Sequence, residues 1–209
     1  MILHGYFRST ASWRVRIALG LKGLAADQVA HHLRKGEQRA PAYLDLNPQG
    51  LTPTLVTDGG ATLTQSLAIC EYLDEICPDP PLLPVDPVAK ARVRAVALAI
   101  ACDIHPVQNL KVLQRLRDFG LSEDQVTAWA AGVIAEGLDA VDTLLADTGG
   151  PFAFGDAPGL ADLCLIPQLG NTRRFNVDLR WPRLLSIEAA CLDLEAFQAA
   201  EPAAQPDAE

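Results

Sequence analysis

Gly5-Tyr6-Phe7-Arg8-Ser9-Thr10-Ala11-Ser12-Trp13-Arg14-Val15-Arg16-Ile17-Ala18-Leu19 is the stretch on which the reading of this chain turns. The residues before it, 1–3, are apolar and long enough to start a strand. Within it, Trp13, Ile17 and Leu21 recur at four-residue spacing with Ala18 beside them, the buried stripe of an amphipathic helix over 10–22. Arg14, Arg16 and Lys22 fall mostly outside that stripe, and Gly23 supplies a helix stop. A strand therefore runs into a loop with one cation and three hydroxyls, and the loop opens a helix. Backbone N–H groups without intrahelical partners converge there and the helix dipole adds positive potential, so the place suits an anion, a thiolate among them. Ser9, Thr10 and Ser12 serve equally well as N-cap oxygens. The loop alone does not choose between capping and chemistry.

The 209 residues allow one large domain or two small ones with a buried core. An apolar share of 49% and a charged share of 21% fit a globular protein. No apolar run of about 18 residues and no signal-peptide pattern is present, which points to a cytoplasmic protein. The formal net charge of −9 argues against nucleic acid or an anionic membrane as partner. A small anionic substrate is compatible if local arginines hold it. The five cysteines are odd in number and form no Cys-x-x-Cys pair, which argues against a disulfide framework or a zinc site. Cys70, Cys102, Cys164 and Cys191 lie in apolar helical surroundings, where cysteine acts as a small hydrophobe.

Outward from the opening loop, residues 27–33 alternate loosely as a second strand, 34–38 are charged and loop-like, and 41–46 suit a short helical turn. Leu46-Asn47-Pro48-Gln49-Gly50-Leu51-Thr52-Pro53-Thr54-Leu55-Val56 is a turn cluster feeding a strand. Asp58-Gly59-Gly60 is a hairpin signal with 61–63 returning. Thr64-Gln65-Ser66 opens a helix on which Ile69, Leu73 and Ile76 share a face. This order predicts a small mixed sheet with helices packed on it over 1–77. Five prolines within 78–87 mark a stiff linker over 78–86. Beyond it the pattern is helical over 87–200: one long helix to about 119 interrupted by Pro106, then 122–145, 159–174, and one or two shorter helices in 181–198. The Ala-, Pro- and acid-rich 201–209 reads as a frayed, flexible tail.

This organisation resembles the cytosolic glutathione transferases. Phe-Arg-Ser-Thr-Ala-Ser-Trp-Arg-Val-Arg-Ile-Ala-Leu at 7–19 is similar to the zeta-class signature Ser-Ser-Cys-x-Trp-Arg-Val-Arg-Ile-Ala-Leu. Further blocks agree: Leu46-Asn47-Pro48, Thr52-Pro53-Thr54-Leu55, Gln65-Ser66-Leu67-Ala68-Ile69, Leu82-Leu83-Pro84, Asp162-Leu163-Cys164-Leu165-Ile166-Pro167-Gln168, Arg174-Phe175-Asn176-Val177-Asp178-Leu179 and a closing Ala196-Phe197-Gln198. The resemblance covers essentially the whole chain. It implies a two-domain fold, a thioredoxin-like α/β domain followed by an all-α domain, with glutathione as cofactor and a homodimeric assembly.

The zeta class contains maleylacetoacetate isomerases and the related bacterial maleylpyruvate isomerases, so the resemblance implies glutathione-dependent cis–trans isomerisation of a small dicarboxylate. Carried onto this sequence, it makes Ser9 the hydroxyl that stabilises the glutathione thiolate, with Thr10 and Ala11 beside it. Ala11 stands where the class usually has cysteine, so a protein thiol there is not required for isomerisation. Pro53 would follow a cis peptide bond, leaving the backbone of Thr52 to pair with the cysteinyl part of glutathione. Gln65 and Ser66 would receive its γ-glutamyl carboxylate, and Gln38 joins the cofactor contacts. Arg8 and Arg174 would hold substrate carboxylates, for which the guanidinium fork is suited, with Arg173 left as a surface charge.

Asp103-Ile104-His105-Pro106 matches a block of the bacterial maleylpyruvate isomerases that contacts glutathione, which brings in Asp103, His105 and Asn109. His105 and Asn109 are four apart on the expected helix face. The Gly159 and Asp162 pair reads as capping, and His31-His32 as a surface pair without a partner. Two other readings keep the same residues: conjugation of glutathione to α-halo acids, and glutathione binding without turnover. A serine-hydrolase reading fails for want of a Gly-x-Ser-x-Gly elbow, and no dinucleotide fingerprint or P-loop exists.

Overall fold

The computed structural model describes residues 1–209 and divides into two compact units, Met1–Leu82 with Leu192–Glu209, and Leu83–Cys191. The first unit is built on a four-stranded sheet of order β2-β1-β3-β4, with β1 at Ile2–Gly5, β2 at Asp27–Ala30, β3 at Thr54–Val56 and β4 at Thr62–Thr64. β1 pairs parallel with β2 and antiparallel with β3, and β3 pairs antiparallel with β4. The parallel pair requires a crossover, which α1 (Thr10–Leu21) provides. After β2 comes the short α2 (Pro41–Leu44), and after β4 comes α3 (Ser66–Ile76). This is the mixed sheet that the order of elements implied.

The core of this unit is Leu3, Val15, Ile17, Leu55, Ile69 and Leu73, all nearly inaccessible. Each such side chain contributes about 1.5–3 kcal/mol of burial. Ile76, expected on the same face as Ile69 and Leu73, is half exposed at the last turn of α3. The expected stripe on α1 is too narrow. Arg14, Arg16 and Lys22 are buried as well, because α3 and α9 (Glu195–Ala200) both pack on this helix. Gly20 makes the second contact possible: a Cβ there would stand 3.0 Å from Ala196 Cβ and 3.2 Å from its Cα.

That packing revises the expected boundaries. Residues 192–200 group with the first unit, not with the helical one. The expected loose tail instead carries a 3₁₀ turn at Pro202–Ala204, with Gln205 buried and donating to the Ala199 and Glu201 carbonyls.

The second unit is helical: α4 (Pro87–Leu98), α5 (Leu110–Asp118), α6 (Glu123–Leu144), α7 (Leu160–Arg174) and α8, which starts at Pro182 and runs to Leu192. The single long helix expected over 87–119 is two helices. α4 widens into a π turn at Ala99–Ile104, where His105 N–H donates to Ile100 O at 2.9 Å. Pro106 has no N–H to continue the ladder, and Asn109, extended at φ −92° and ψ 162°, caps α5 afresh. Ile104 fits against Gly137 of α6, where an added Cβ would lie 2.3 Å from Ile104 Cγ1. Cys102 on the π turn is exposed, contrary to the buried role expected, whereas Cys70, Cys164 and Cys191 are buried. No helix of the chain is long and apolar enough to cross a membrane.

Candidate active site

Ser9 is the N-cap of α1, with extended backbone at φ −71° and ψ 113°. Its Oγ accepts the Ser12 N–H at 3.2 Å and the Thr52 hydroxyl at 3.3 Å. A serine hydroxyl has two lone pairs and one proton. Both lone pairs are engaged here, so the O–H is left as a donor. Capping and chemistry therefore do not compete at Ser9: the cap uses the oxygen and leaves the proton. Thr10 and Ala11 have buried side chains, and what they offer is the pair of N–H groups at the first two helical positions, which no intrahelical carbonyl accepts. Arg8 is half-buried immediately before Ser9.

The peptide ahead of Arg8 is clamped from both sides. Phe7 N–H donates to Asp207 Oδ2 at 2.9 Å. The buried Arg16 guanidinium donates to the carbonyls of Phe7 at 3.0 Å, Tyr6 at 3.5 Å and Ala200 at 3.1 Å. Burial lowers the Arg16 pKa to about 10, against the opposing pull of Asp207, so it remains a cation at neutral pH. The sequence reading assigned neither residue, since their partners lie 200 and 184 residues away.

The second loop brings Thr52 to Ser9. Leu51 O accepts from Tyr43 Oη at 2.6 Å and from Asn47 Nδ2 at 2.7 Å, which holds the chain just before Thr52. The Thr52–Pro53 bond is cis, as expected from the resemblance; Asp79–Pro80 is a second cis bond that was not anticipated. Gln49 Oε1 accepts from Gln65 Nε2 at 2.8 Å, tying this loop to the start of α3.

Gln65 sits at φ +69°, a region that side chains rarely adopt, and it supplies no side-chain cap to α3. The N–H groups of that first turn are thus left for another acceptor. Ser66 is buried at the helix start, and its Oγ accepts from Arg14 Nη1 at 3.2 Å. Gln38 is also buried; its Nε2 donates to Leu33 O at 3.3 Å and its Oε1 has no partner. The uncapped N–H groups of the first turn of α3 with the Ser66 hydroxyl fit a carboxylate, and a proton donor at a second helix start fits a thiolate. The first unit therefore suits a ligand bearing both.

His31 and His32 are not a surface pair. His4 Nδ1 and His31 Nε2 share a hydrogen bond at 2.9 Å, and His31 packs on Tyr43 with ring centroids 4.3 Å apart. His32 accepts from Lys35 N–H through Nδ1 and pairs with Glu209 at 3.0 Å through Nε2. Burial lowers the pKa of both His4 and His31, and the neighbouring His31 lowers His4 further.

In the helical unit, Asp103 is exposed on the π turn and His105 and Asn109 are half-buried. Although no helix joins them, Asn109 Nδ2 lies 3.5 Å from His105 Nε2, so the expected juxtaposition survives the helix break. Arg174 is exposed at the end of α7. Arg173, expected as a simple surface charge, makes a forked pair with Glu188 at 2.6 Å for each bond. Asp162 accepts the Gly159 and Ala153 N–H groups at 2.8 Å each, and burial raises its pKa to about 6. It is folding machinery, as its capping position implied.

Residues 8–76 match the family model for the glutathione S-transferase N-terminal domain, and residues 91–187 match the C-terminal domain. The maleylacetoacetate isomerase of Pseudomonas aeruginosa is 49% identical to this chain, covering 99% of it and 98% of the relative. A holo structure of maleylpyruvate isomerase, a bacterial zeta-class glutathione transferase, superposes with a TM-score of 0.97 at 46% identity over 100% of both chains. The maleylacetoacetate isomerase of Anaeromyxobacter dehalogenans, solved with dicarboxyethyl glutathione and citrate in its active site, superposes with a TM-score of 0.90 at 44% identity, covering 100% of this chain and 97% of that one.

Proposed function

The chain belongs to the glutathione S-transferase family, in its zeta class, and from that premise we propose that it is a glutathione-dependent isomerase converting maleylacetoacetate to fumarylacetoacetate. The observation that carries this is the Ser9 hydroxyl, with both lone pairs engaged and its proton free at the start of α1. Bound glutathione supplies a thiolate that adds reversibly to the activated cis double bond, so that rotation about the resulting single bond and elimination give the trans isomer.

The chain's own residues make that chemistry accessible. The Ser9 O–H donates to sulfur, and the first N–H groups of α1 and its dipole favour negative charge there, which raises the thiolate fraction of a group that otherwise titrates near 8.5. Ser66 and the uncapped start of α3 hold the γ-glutamyl carboxylate. Thr52 presents its backbone to the cysteinyl part, and Gln38 adds a cofactor contact. Arg8, adjoining Ser9, takes a substrate carboxylate and favours the enolate charge that develops next to it. Arg174 carries the same assignment in the helical unit, and Asp103, His105 and Asn109 a cofactor assignment. The dicarboxyethyl glutathione and citrate bound in the Anaeromyxobacter relative support a site that accepts both the tripeptide and a carboxylate-rich partner. We assign the working form to a cytoplasmic homodimer.

Maleylpyruvate is the second substrate to test, because the Asp103-Ile104-His105-Pro106 block and the maleylpyruvate isomerase fold both match. The experiment is an isomerisation assay on each maleyl compound with and without glutathione. Turnover that needs glutathione supports the proposal, and the faster substrate defines the specificity. Glutathione binding without turnover of either compound contradicts it.

A further inference from the structure

The segment between α4 with its π turn and α5, residues 105–109, carries His105 and Asn109 yet belongs to neither helix. Its backbone decides where those two side chains stand. Asn109 Oδ1 accepts the Leu110 N–H at 2.7 Å, so the cap of α5 uses the oxygen and leaves the amide donors. One of them lies 3.5 Å from His105 Nε2. That separation is at the limit of a hydrogen bond, so a small backbone shift parts the pair.

No continuous helical ladder holds the segment. The π turn ends at Ile104, Pro106 has no N–H, and the Asn109 N–H reaches Pro106 O only at 3.4 Å. A neighbouring helix bridges the gap instead. α6 meets the elements on both sides of the break: Gly137 receives Ile104 at the end of the π turn, and Val126 and Ala130 cluster with Leu113 of α5. Between these contacts, about 12 Å along the helix from Gly137, Trp129 donates its indole N–H to Val107 O at 3.1 Å. Residues 104, 107 and 113 are thus met in turn from one rigid helix, the arrangement of a splint. The Trp129 ring is left 43% exposed, and its N–H is engaged by a carbonyl of the break instead of by water.

We propose that α6 splints the break between α4 and α5 and that Trp129 is a positioning residue for glutathione binding: its bond to Val107 fixes the segment 105–109 and, through it, the Asn109 side chain. Trp129 touches no ligand itself. This inference rests on the glutathione reading and on the assignment of Asn109 to that cofactor.

The test is calorimetric binding of glutathione, with no turnover required. Trp129→Phe keeps an aromatic body and removes the donor, whereas Trp129→His places a ring N–H where the indole N–H stood and removes the six-membered ring. Trp129→Phe is expected to weaken glutathione about 2- to 12-fold, the loss of one neutral hydrogen bond, and Trp129→His to recover most of that loss. In an Asn109→Ala background Trp129→Phe is expected to have little further effect, because the side chain it positions is gone. Wild type supplies a readout that needs no variant. Trp13 and Trp181 are buried, so the exposed indole is that of Trp129, and saturating glutathione is expected to slow its exchange with deuterium. Four results each overturn the inference and leave the glutathione reading standing: a folded Trp129→Phe that binds as wild type does, a Trp129→His as weak as Trp129→Phe, an effect that persists in full in the Asn109→Ala background, or an indole exchange rate unmoved by glutathione. The last applies even if no Trp129 variant folds. An Asn109→Ala that binds as tightly as wild type removes the assignment and the inference with it, and a wild type that does not bind glutathione overturns the glutathione reading as well.

Discussion

Thr52 Oγ1 donates to Ser9 Oγ at 3.3 Å, joining two loops that are 43 residues apart in the chain. With Ser12 N–H on the other lone pair, this bond leaves the Ser9 proton available as a donor. Thr52→Val keeps the shape and removes the donor. A neutral hydrogen bond contributes about 0.5–1.5 kcal/mol, so kcat/KM should fall roughly 2- to 12-fold. Thr52→Ser should recover most of it. Steady-state kinetics on the three proteins check this, and a Thr52→Val enzyme as fast as wild type contradicts it.

Asp207 should matter to the same loop from the far end of the sequence. It holds the Phe7 N–H while Arg16 holds the Phe7 carbonyl. Asp207→Ala leaves a part-buried N–H without its acceptor, which costs about 1–3 kcal/mol. We expect a lower midpoint of urea unfolding together with a raised KM for glutathione. A variant with both quantities unchanged refutes the clamp.

The His4–His31 pair should make the fold acid-sensitive. Both folded pKa values lie below the ordinary value of 6.5, so the unfolded chain binds more protons as pH falls below that value. Stability from this pair is full above about pH 7 and is lost as pH falls through 6.5 toward the lowered folded values. Denaturant midpoints measured from pH 7.5 to 5 should decline, and His4→Leu should flatten the decline.

Asp162 contributes with the opposite sign. Its folded pKa of about 6 lies above the ordinary 3.8, so the folded state holds the extra proton between those values. The contribution is present below about pH 4 and is lost as pH rises through 6. Asp162→Asn should therefore steepen the acid decline over pH 4–6. It should also cost about 1–3 kcal/mol at neutral pH, because an amide cannot accept both the Ala153 and the Gly159 N–H.

What could be read from the sequence was local. Ser9 before an apolar helix, Asp58-Gly59-Gly60 between strands and Ser66 at a helix start each announce themselves within a few residues and have a matching element in the structure, while Pro106, expected to interrupt one long helix, stands in a full break between two. The failures were of long range. Arg14 and Arg16 read as lying mostly outside the buried stripe because their partners, Ser66 and Ala200, are 52 and 184 residues away. The last nine residues read as loose because nothing in their composition announces that Asp207 reaches Phe7 or that Glu209 reaches His32. His31 meets His4 through the parallel register that sets β2 beside β1, whereas His32 meets Glu209 of the tail.

The central claim is that Ser9 holds bound glutathione as a thiolate. Its most direct measurement is an ultraviolet titration of the thiolate on the protein, in wild type and in Ser9→Ala, with each variant first shown to be folded, since loss of the cap alone costs about 1 kcal/mol. The account predicts that the thiol bound to wild type titrates at least about one unit below the free value near 8.5, and that Ser9→Ala raises it by about one unit, equivalent to roughly 1.4 kcal/mol. A bound thiol that titrates at the same pH in both proteins contradicts it.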